Sequence, residues 1–258
     1  MKLKEYIDLY NGLRTAADIN RFCKHGYARE ILLNIYSQRV VRETTRRFYE
    51  VKGRSKKLLH EWKKGKSLVA IARSLNFPAV MLAHIILREN KLTKKKFWQF
   101  ISDTDKIPDR RLREELKHVL VEDIVYSPLA MEENTKRGKW GEKNISDWLN
   151  ERKMHFRTEN DLKGKYPKTP DFLLSKPIEY SGTKLHWIES KASFGSPDEM
   201  RRNTRKQLKA YKELFGDGVV IYWYGFVEDH NMKMPEGILL ADKRFFKDLE
   251  HEETHRNV

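Results

Sequence analysis

Residues 169–174 read TPDFLL, and residues 187–191 read WIESK. The first stretch places an acid directly after a proline at the head of an apolar run. The second places an acid and a lysine two apart at the tail of another. Between them Ser181-Gly182 supplies a turn, so strands are expected at 171–174, 177–180 and 184–191, the last two forming a hairpin. Side chains alternate along a strand, which puts Glu189 and Lys191 on one face with Leu185 and Trp187 and points Ser190 the other way. Asp171 then opens a strand next to the one that Glu189 and Lys191 close.

From Gly138 onward the expected order is helix, strands, helix, strands. Residues 138–152, GKWGEKNISDWLNER, place Trp140, Ile145, Trp148 and Leu149 on one helical face, with Glu142 near its border. A short strand is expected at 154–158 and a helix at 198–215. The apolar runs VVIYWYGF (219–226) and GILLA (237–241) follow, of the kind that lies in the middle of a covered sheet. This half is expected to be an α/β domain with a mixed sheet flanked by helices.

Residues 1–125 have helical periodicity and proline only at Pro78 and Pro108, which predicts an all-helical half. Two segments resemble each other at an offset of 50: INRFCKHGYAREILLNIY (19–36) and VAIARSLNFPAVMLAHII (69–86). Each reads as helix, short turn, aromatic and second helix, the layout of a helix-turn-helix, here in tandem. Lys56, Lys57, Lys63 and Lys64 precede the second copy, and Lys94, Lys95 and Lys96 follow it. Such cations hold phosphates while the second helix enters the groove. That helix offers few base-reading side chains, chiefly His84, Arg88 and Asn90, so recognition by shape and backbone is expected. The pattern breaks between Ser127-Pro128 and Gly138, which sets the expected domains at 1–128 (basic, nucleic-acid-binding) and 129–258.

The net charge of +15 over 258 residues is uneven: residues 1–128 carry 28 Lys and Arg against 15 Asp and Glu, whereas residues 129–258 carry 24 against 22. A polyanionic partner for the first half is the natural reading, with nucleic acid as the expected partner. No stretch reaches the roughly 18 apolar residues of a membrane span, and MKLKEYIDLYNG lacks a secretory apolar core, so an intracellular location and no membrane partner are expected. The single cysteine, Cys23, excludes an internal disulfide framework. No phosphate-cradling glycine loop or nucleophile elbow is present, leaving NTP and serine-type hydrolysis without support.

An acid two residues before a lysine occurs seven times in this chain, and only at Glu189 does it close an apolar strand. Two carboxylates on adjacent strands can hold a hard cation such as Mg²⁺, which takes oxygen ligands. A lysine beside them can orient water or stabilise charge developing on a phosphoryl group. The plainer alternative is a turn aspartate and an ordinary same-face ion pair. The arrangement resembles the PD-(D/E)xK nuclease superfamily, and more narrowly the TPD-motif nucleases. KTPDFLL (168–174), HWIESKASFG (186–195), VVIYWYGF (219–226) and GILL (237–240) carry the narrower match. The resemblance implies a restriction-endonuclease-like fold, Mg²⁺ or Mn²⁺ bound at Asp171, Glu189 and Ser190, a catalytic Lys191, and an accessory acid at Glu142. QLKAY (207–211) is similar to the glutamine-tyrosine signature of some relatives, which brings in Gln207 and Tyr211; Tyr211 in the core with a solvated Gln207 is equally open. The function expected is a metal-dependent nuclease acting on DNA, with an inactive nuclease-fold adaptor as the alternative and a protein partner for the helical half left open.

Overall fold

The structure, a computed structural model, describes residues 1–228 and 234–256. The first eight helices are α1 (Leu3–Gly12), α2 (Ala16–Cys23), α3 (Arg29–Gly53), α4 (Ser55–Lys63), α5 (Leu68–Leu75), α6 (Ala79–Glu89), α7 (Lys94–Ser102) and α8 (Arg110–Glu122). Then come α9 (Pro128–Glu151), β1 (Phe156–Thr158), α10 (Glu159–Leu162), β2 (Phe172–Tyr180), β3 (Thr183–Lys191) and α11 (Pro197–Asn203). After a π-helical turn at Thr204–Leu208 the chain finishes with α12 (Lys209–Phe215), β4 (Gly218–Tyr222), β5 (Ile238–Ala241) and α13 (Phe245–Arg256). The fold is mixed α+β, with helices first and the sheet in the C-terminal part. Among the described residues no single helix is long and apolar enough to cross a membrane.

Two compact units emerge: Met1–Ile35 with Lys136–Val258, and Tyr36–Thr135. This division by packing differs from the division by composition at residue 128, and it falls inside α3 and α9. Ser127-Pro128, read from sequence as a break, is a helix start. The Ser127 hydroxyl accepts from the Ala130 N–H at 3.3 Å, and Pro128 sits where a missing N–H costs nothing. Gly138 is simply absorbed into the interior of α9.

The helical unit, Tyr36–Thr135, is organised around α6, seven of whose eleven residues are buried. Asn76 takes a left-handed conformation (φ 45°), and the chain bends by 117° between α5 and α6. The buried Asp123 carboxylate accepts from the Val80, Val125 and Tyr126 N–H groups at 2.9, 3.1 and 2.8 Å, fixing the start of α6. Lys56, Lys57, Lys63, Lys64, Arg88, Lys94, Lys95 and Lys96 are all exposed. The half-buried His84 packs its ring on Phe97 at 4.9 Å, and its Nε2 is buried with no hydrogen-bond partner among the described residues. The two helix-turn-helix-like segments lie in different units. The second helix of the first copy runs on to Gly53, because nothing between Tyr36 and Gly53 breaks it.

In the other unit the sheet order is β1-β2-β3-β4-β5, with β1, β2 and β3 antiparallel and β3, β4 and β5 parallel. The hairpin turn falls at Ser181-Gly182, both at positive φ (48° and 74°), as a two-residue turn of this hand requires. The two strands expected at 171–174 and 177–180 are one strand with a register shift between Leu173 and Ile178. Pro177 is tolerated because β1 pairs only with 172–174, leaving the strand unpaired on that side. The shift has a consequence for alternation: Leu185 packs with Ile178 and Ile188, whereas Trp187 packs on Tyr211 at 5.4 Å. The expected face-sharing of Leu185 with Trp187 therefore fails. Cys23 is half-buried. The start of the chain belongs to this unit: Lys2 bridges Glu228, and Tyr6 stacks on Phe194 at 6.0 Å.

Candidate active site

The pairing of Phe172 with Ile188 brings the head of β2 against the tail of β3, and Asp171, just before β2, arrives beside Glu189 and Ser190. Two reciprocal hydrogen bonds lock this corner. The Ser190 N–H donates to Asp171 Oδ2 at 2.8 Å, and the Asp171 N–H donates to Glu189 Oε2 at 3.2 Å. Each carboxylate is thus held by the backbone of the segment that carries the other. Lys191 Nζ donates to Glu189 Oε1 at 2.5 Å and to Gln207 Oε1 at 3.3 Å. Glu189 is 2% exposed, an unusual position for a glutamate unless it is paired.

Burial and the Glu189 charge push the Asp171 carboxyl up to about 8. Burial also raises Glu189, against the opposing pull of Lys191. For Lys191 burial disfavours the ammonium, but the Glu189 carboxylate outweighs it, and the pKa lies above that of an ordinary lysine. Two acids forced together in a dry corner form an environment that a cation relieves. The donor set is hard oxygen from two carboxylates, which suits a small divalent ion that keeps water and substrate oxygens in its remaining positions. Among the described residues no cluster of three or more His, Cys, Asp or Glu forms an all-protein cage.

The other expected site residues divide. Glu142 is exposed on α9 and close enough for its charge to act on Asp171. Gly141 explains how α9 comes so near. A Cβ there would lie 2.6 Å from Trp223 Nε1 and 2.8 Å from Ser190 Oγ, so only glycine lets the helix backbone touch the sheet at this point. The Ser190 hydroxyl faces that helix and accepts from Trp223 Nε1 at 2.9 Å. Gln207 reaches Lys191 from the π-helical turn, a distortion often found at functional sites. Tyr211, by contrast, is in the core against Trp187, and burial pushes its phenol far above the ordinary range. Two acids not anticipated from the sequence act on the site: the charge of Glu159, at the start of α10, acts on Glu189, and that of Glu199, on α11, acts on Lys191. Ser196-Pro197-Asp198-Glu199 is a helix-start signature five residues beyond Lys191, so Glu199 was within reach of a capping argument.

A family described as proteins of unknown function with a TPD sequence motif matches residues 108–244. The chain belongs to the TPD sequence-motif family. Its motif is Thr169-Pro170-Asp171, the corner just described. The human protein named CDAN1-interacting nuclease 1 is 34% identical over 181 residues, 67% of this chain and 64% of its own length. The Danio rerio protein of that name is 40% identical over 137 residues, 53% of this chain and 46% of its length. An uncharacterized protein of Acanthamoeba polyphaga mimivirus, L539, is 32% identical over 111 residues, 40% of each chain. The chain thus spans just under two thirds of the human relative. No solved structure matches.

Proposed function

We propose that this chain is a divalent-metal-dependent nuclease that hydrolyses DNA phosphodiester bonds on a PD-(D/E)xK-type sheet, with the helical unit binding the substrate. One observation carries the reading: Asp171 and Glu189 are interlocked at the tail of β3, with Lys191 held beside them by Glu189 and Gln207. Asp171 and Glu189 are the residues that would hold Mg²⁺ or Mn²⁺, which when bound supplies Lewis acidity and a water of lowered pKa. Lys191 has its pKa raised, so it is a donor rather than a base. Its ammonium can meet negative charge developing on the phosphoryl oxygens. Gln207 Oε1 accepts a second hydrogen bond from the ammonium and helps to fix it. Glu142, exposed on α9 with its charge acting on Asp171, would take part as an accessory acid.

Three further observations support substrate binding. Relatives covering two thirds of the chain are named nucleases. The 117° bend between α5 and α6 is within the range of helix-turn-helix motifs. The exposed lysines of α4 and α7 can neutralise phosphates. The relatives' name also states an interaction with CDAN1, which favours a second reading in which the chain is a nucleic-acid-binding adaptor with a protein partner for its helical unit. Labelled single-stranded, duplex, flapped and branched DNAs, incubated with Mg²⁺ or Mn²⁺, separate the two. Cation-dependent cutting that is lost in Glu189→Gln supports the nuclease. Tight binding with no cutting of any substrate supports the adaptor.

A further inference from the structure

We infer that the loop of residues 163–168, which runs into Asp171, grips the backbone of the strand being cut, with Lys168 on a phosphate next to the scissile one. This rests on the nuclease reading and adds to it a phosphate-binding loop in the unit that carries the candidate site, separate from the lysines of the helical unit.

Two observations place the loop. The first is covalent: Lys168 is three residues before Asp171, so their Cα atoms are at most about 11 Å apart. Lys168 is exposed whereas Pro170 is buried, so the chain leaves the surface just ahead of the acidic corner. The second is the side of the sheet that the loop borders. Tyr166 packs edge to face on Phe215 of α12, with ring centroids 5.0 Å apart. Phe215 lies one turn beyond Tyr211 on that helix, and Tyr211 packs on Trp187. Trp187, Glu189 and Lys191 alternate onto one face of β3, and Gln207, in the turn leading into α12, reaches Lys191. The charge of Glu159, four residues before the loop, acts on both Glu189 and Tyr211. The loop therefore borders the face that carries Glu189 and Lys191.

Local contacts hold its shape. Leu162 is fully buried, the Lys165 N–H donates to the Leu162 carbonyl at 3.0 Å across Gly164 at positive φ (82°), and Lys163 bridges Tyr166. Lys163, Lys165 and Lys168 are all exposed. The charge of Lys165 acts on Asp161, whose carboxylate accepts from the Thr158 N–H and hydroxyl, so that lysine is offset in part. Ammonium groups on an anchored loop beside a metal-binding corner suit a phosphate backbone, which offers its charge whatever the base.

The test uses the full chain and DNA strands in which one phosphate at a time is replaced by an uncharged methylphosphonate, read in EDTA so that binding is measured without cutting. Replacement at one position should weaken binding by the wild type and leave that of Lys168→Ala unchanged, and Lys168→Arg should restore the wild-type pattern. Lys168→Ala should also reduce the log–log salt slope by about 0.9 on duplex or about 0.7 on single strands. With Mg²⁺ the cut should map beside the sensitive phosphate. Tyr166→Ala should blunt the sensitivity at that position, whereas Tyr166→Phe, which keeps the ring on Phe215, should retain it. A pattern identical in the wild type and Lys168→Ala, or sensitivity confined to phosphates remote from the cut, overturns the grip and leaves the nuclease standing. Sensitivity at one phosphate that vanishes in Lys168→Ala, with no cutting under any condition, keeps the grip and removes the nuclease. Thermal melting of Lys168→Ala and Tyr166→Ala guards against loss by unfolding.

Discussion

At the residue scale the site is a small electrostatic problem with a large answer. Asp171→Asn, Glu189→Gln and Lys191→Ala should each lower cleavage by about 100-fold or more, the usual cost of removing one preorganised transition-state contact. Binding in EDTA should change by less than about threefold, because a group that acts on the transition state adds little to ground-state binding. A Lys191→Ala variant that cuts at the wild-type rate would remove its role. The Asp171 carboxyl, pushed up to about 8, adds a pH signature. Below that value its protonated form dominates, and a cation must displace the proton. Mg²⁺ or Mn²⁺ binding should therefore weaken as pH falls below about 8 and should release protons near neutrality. Calorimetry in two buffers of different ionisation heat measures this, and binding heats independent of buffer would contradict it. The stability sign is the reverse of a salt-bridged aspartate: Asp171 supports the cation-free fold below the ordinary carboxylate range, and that support is lost as pH rises through about 8. Asp171, Glu189 and Lys191 were legible in sequence because alternation and a strand end leave little freedom. Tyr211 and Gln207 were not separable there, since which one reaches Lys191 depends on the π-helical turn that re-aims their shared helix.

At the element scale α9 carries a natural matched pair of glycines. Gly141 touches Trp223 and Ser190, whereas a Cβ at Gly138 would meet nothing within 4 Å. Gly141→Ala should cost about 1–3 kcal/mol by overpacking, or a few degrees of melting temperature per kcal/mol for a chain of this size. It should also lower activity beyond its effect on stability, because α9 carries Glu142. Gly138→Ala should be neutral or stabilise by up to about 1 kcal/mol through helix propensity. Equal melting temperatures for the two variants would show that the contact at Gly141 is unimportant. Sequence reasoning found most elements of the sheet, since its strands are apolar runs closed by clear turns. It misplaced the joins. Residues 175–176 and Ser127-Pro128 both looked like breaks, and the proline at each join sits where its missing N–H is harmless: Pro177 on an unpaired stretch of strand and Pro128 at the first turn of a helix.

At the scale of the whole molecule, charge and packing draw different lines. By packing, Tyr36–Thr135 carries 22 Lys and Arg against 13 Asp and Glu, a net +9, and the remainder of the chain carries the other +6. Substrate affinity should therefore draw on both units. Replacing Lys94, Lys95 and Lys96 by Ala together should reduce the log–log salt slope of duplex binding by at most about 2.7, since each counterion released contributes about 0.9. An unchanged slope would show that α7 faces no phosphate. A fragment beginning at 129 lacks α1, whose Tyr6 stacks on Phe194 close after Lys191, and should melt well below the full chain. No local pattern announces this, because the contact spans almost the whole sequence. It also orders events in time. Residues 36–135 are contiguous and can fold as soon as a ribosome releases them, whereas α1 must wait for residues near 194 and 228 before it can dock. A nascent chain should therefore hold a finished helical unit while its candidate active site is still unassembled, so that any activity of that site would begin only after translation of this region is over.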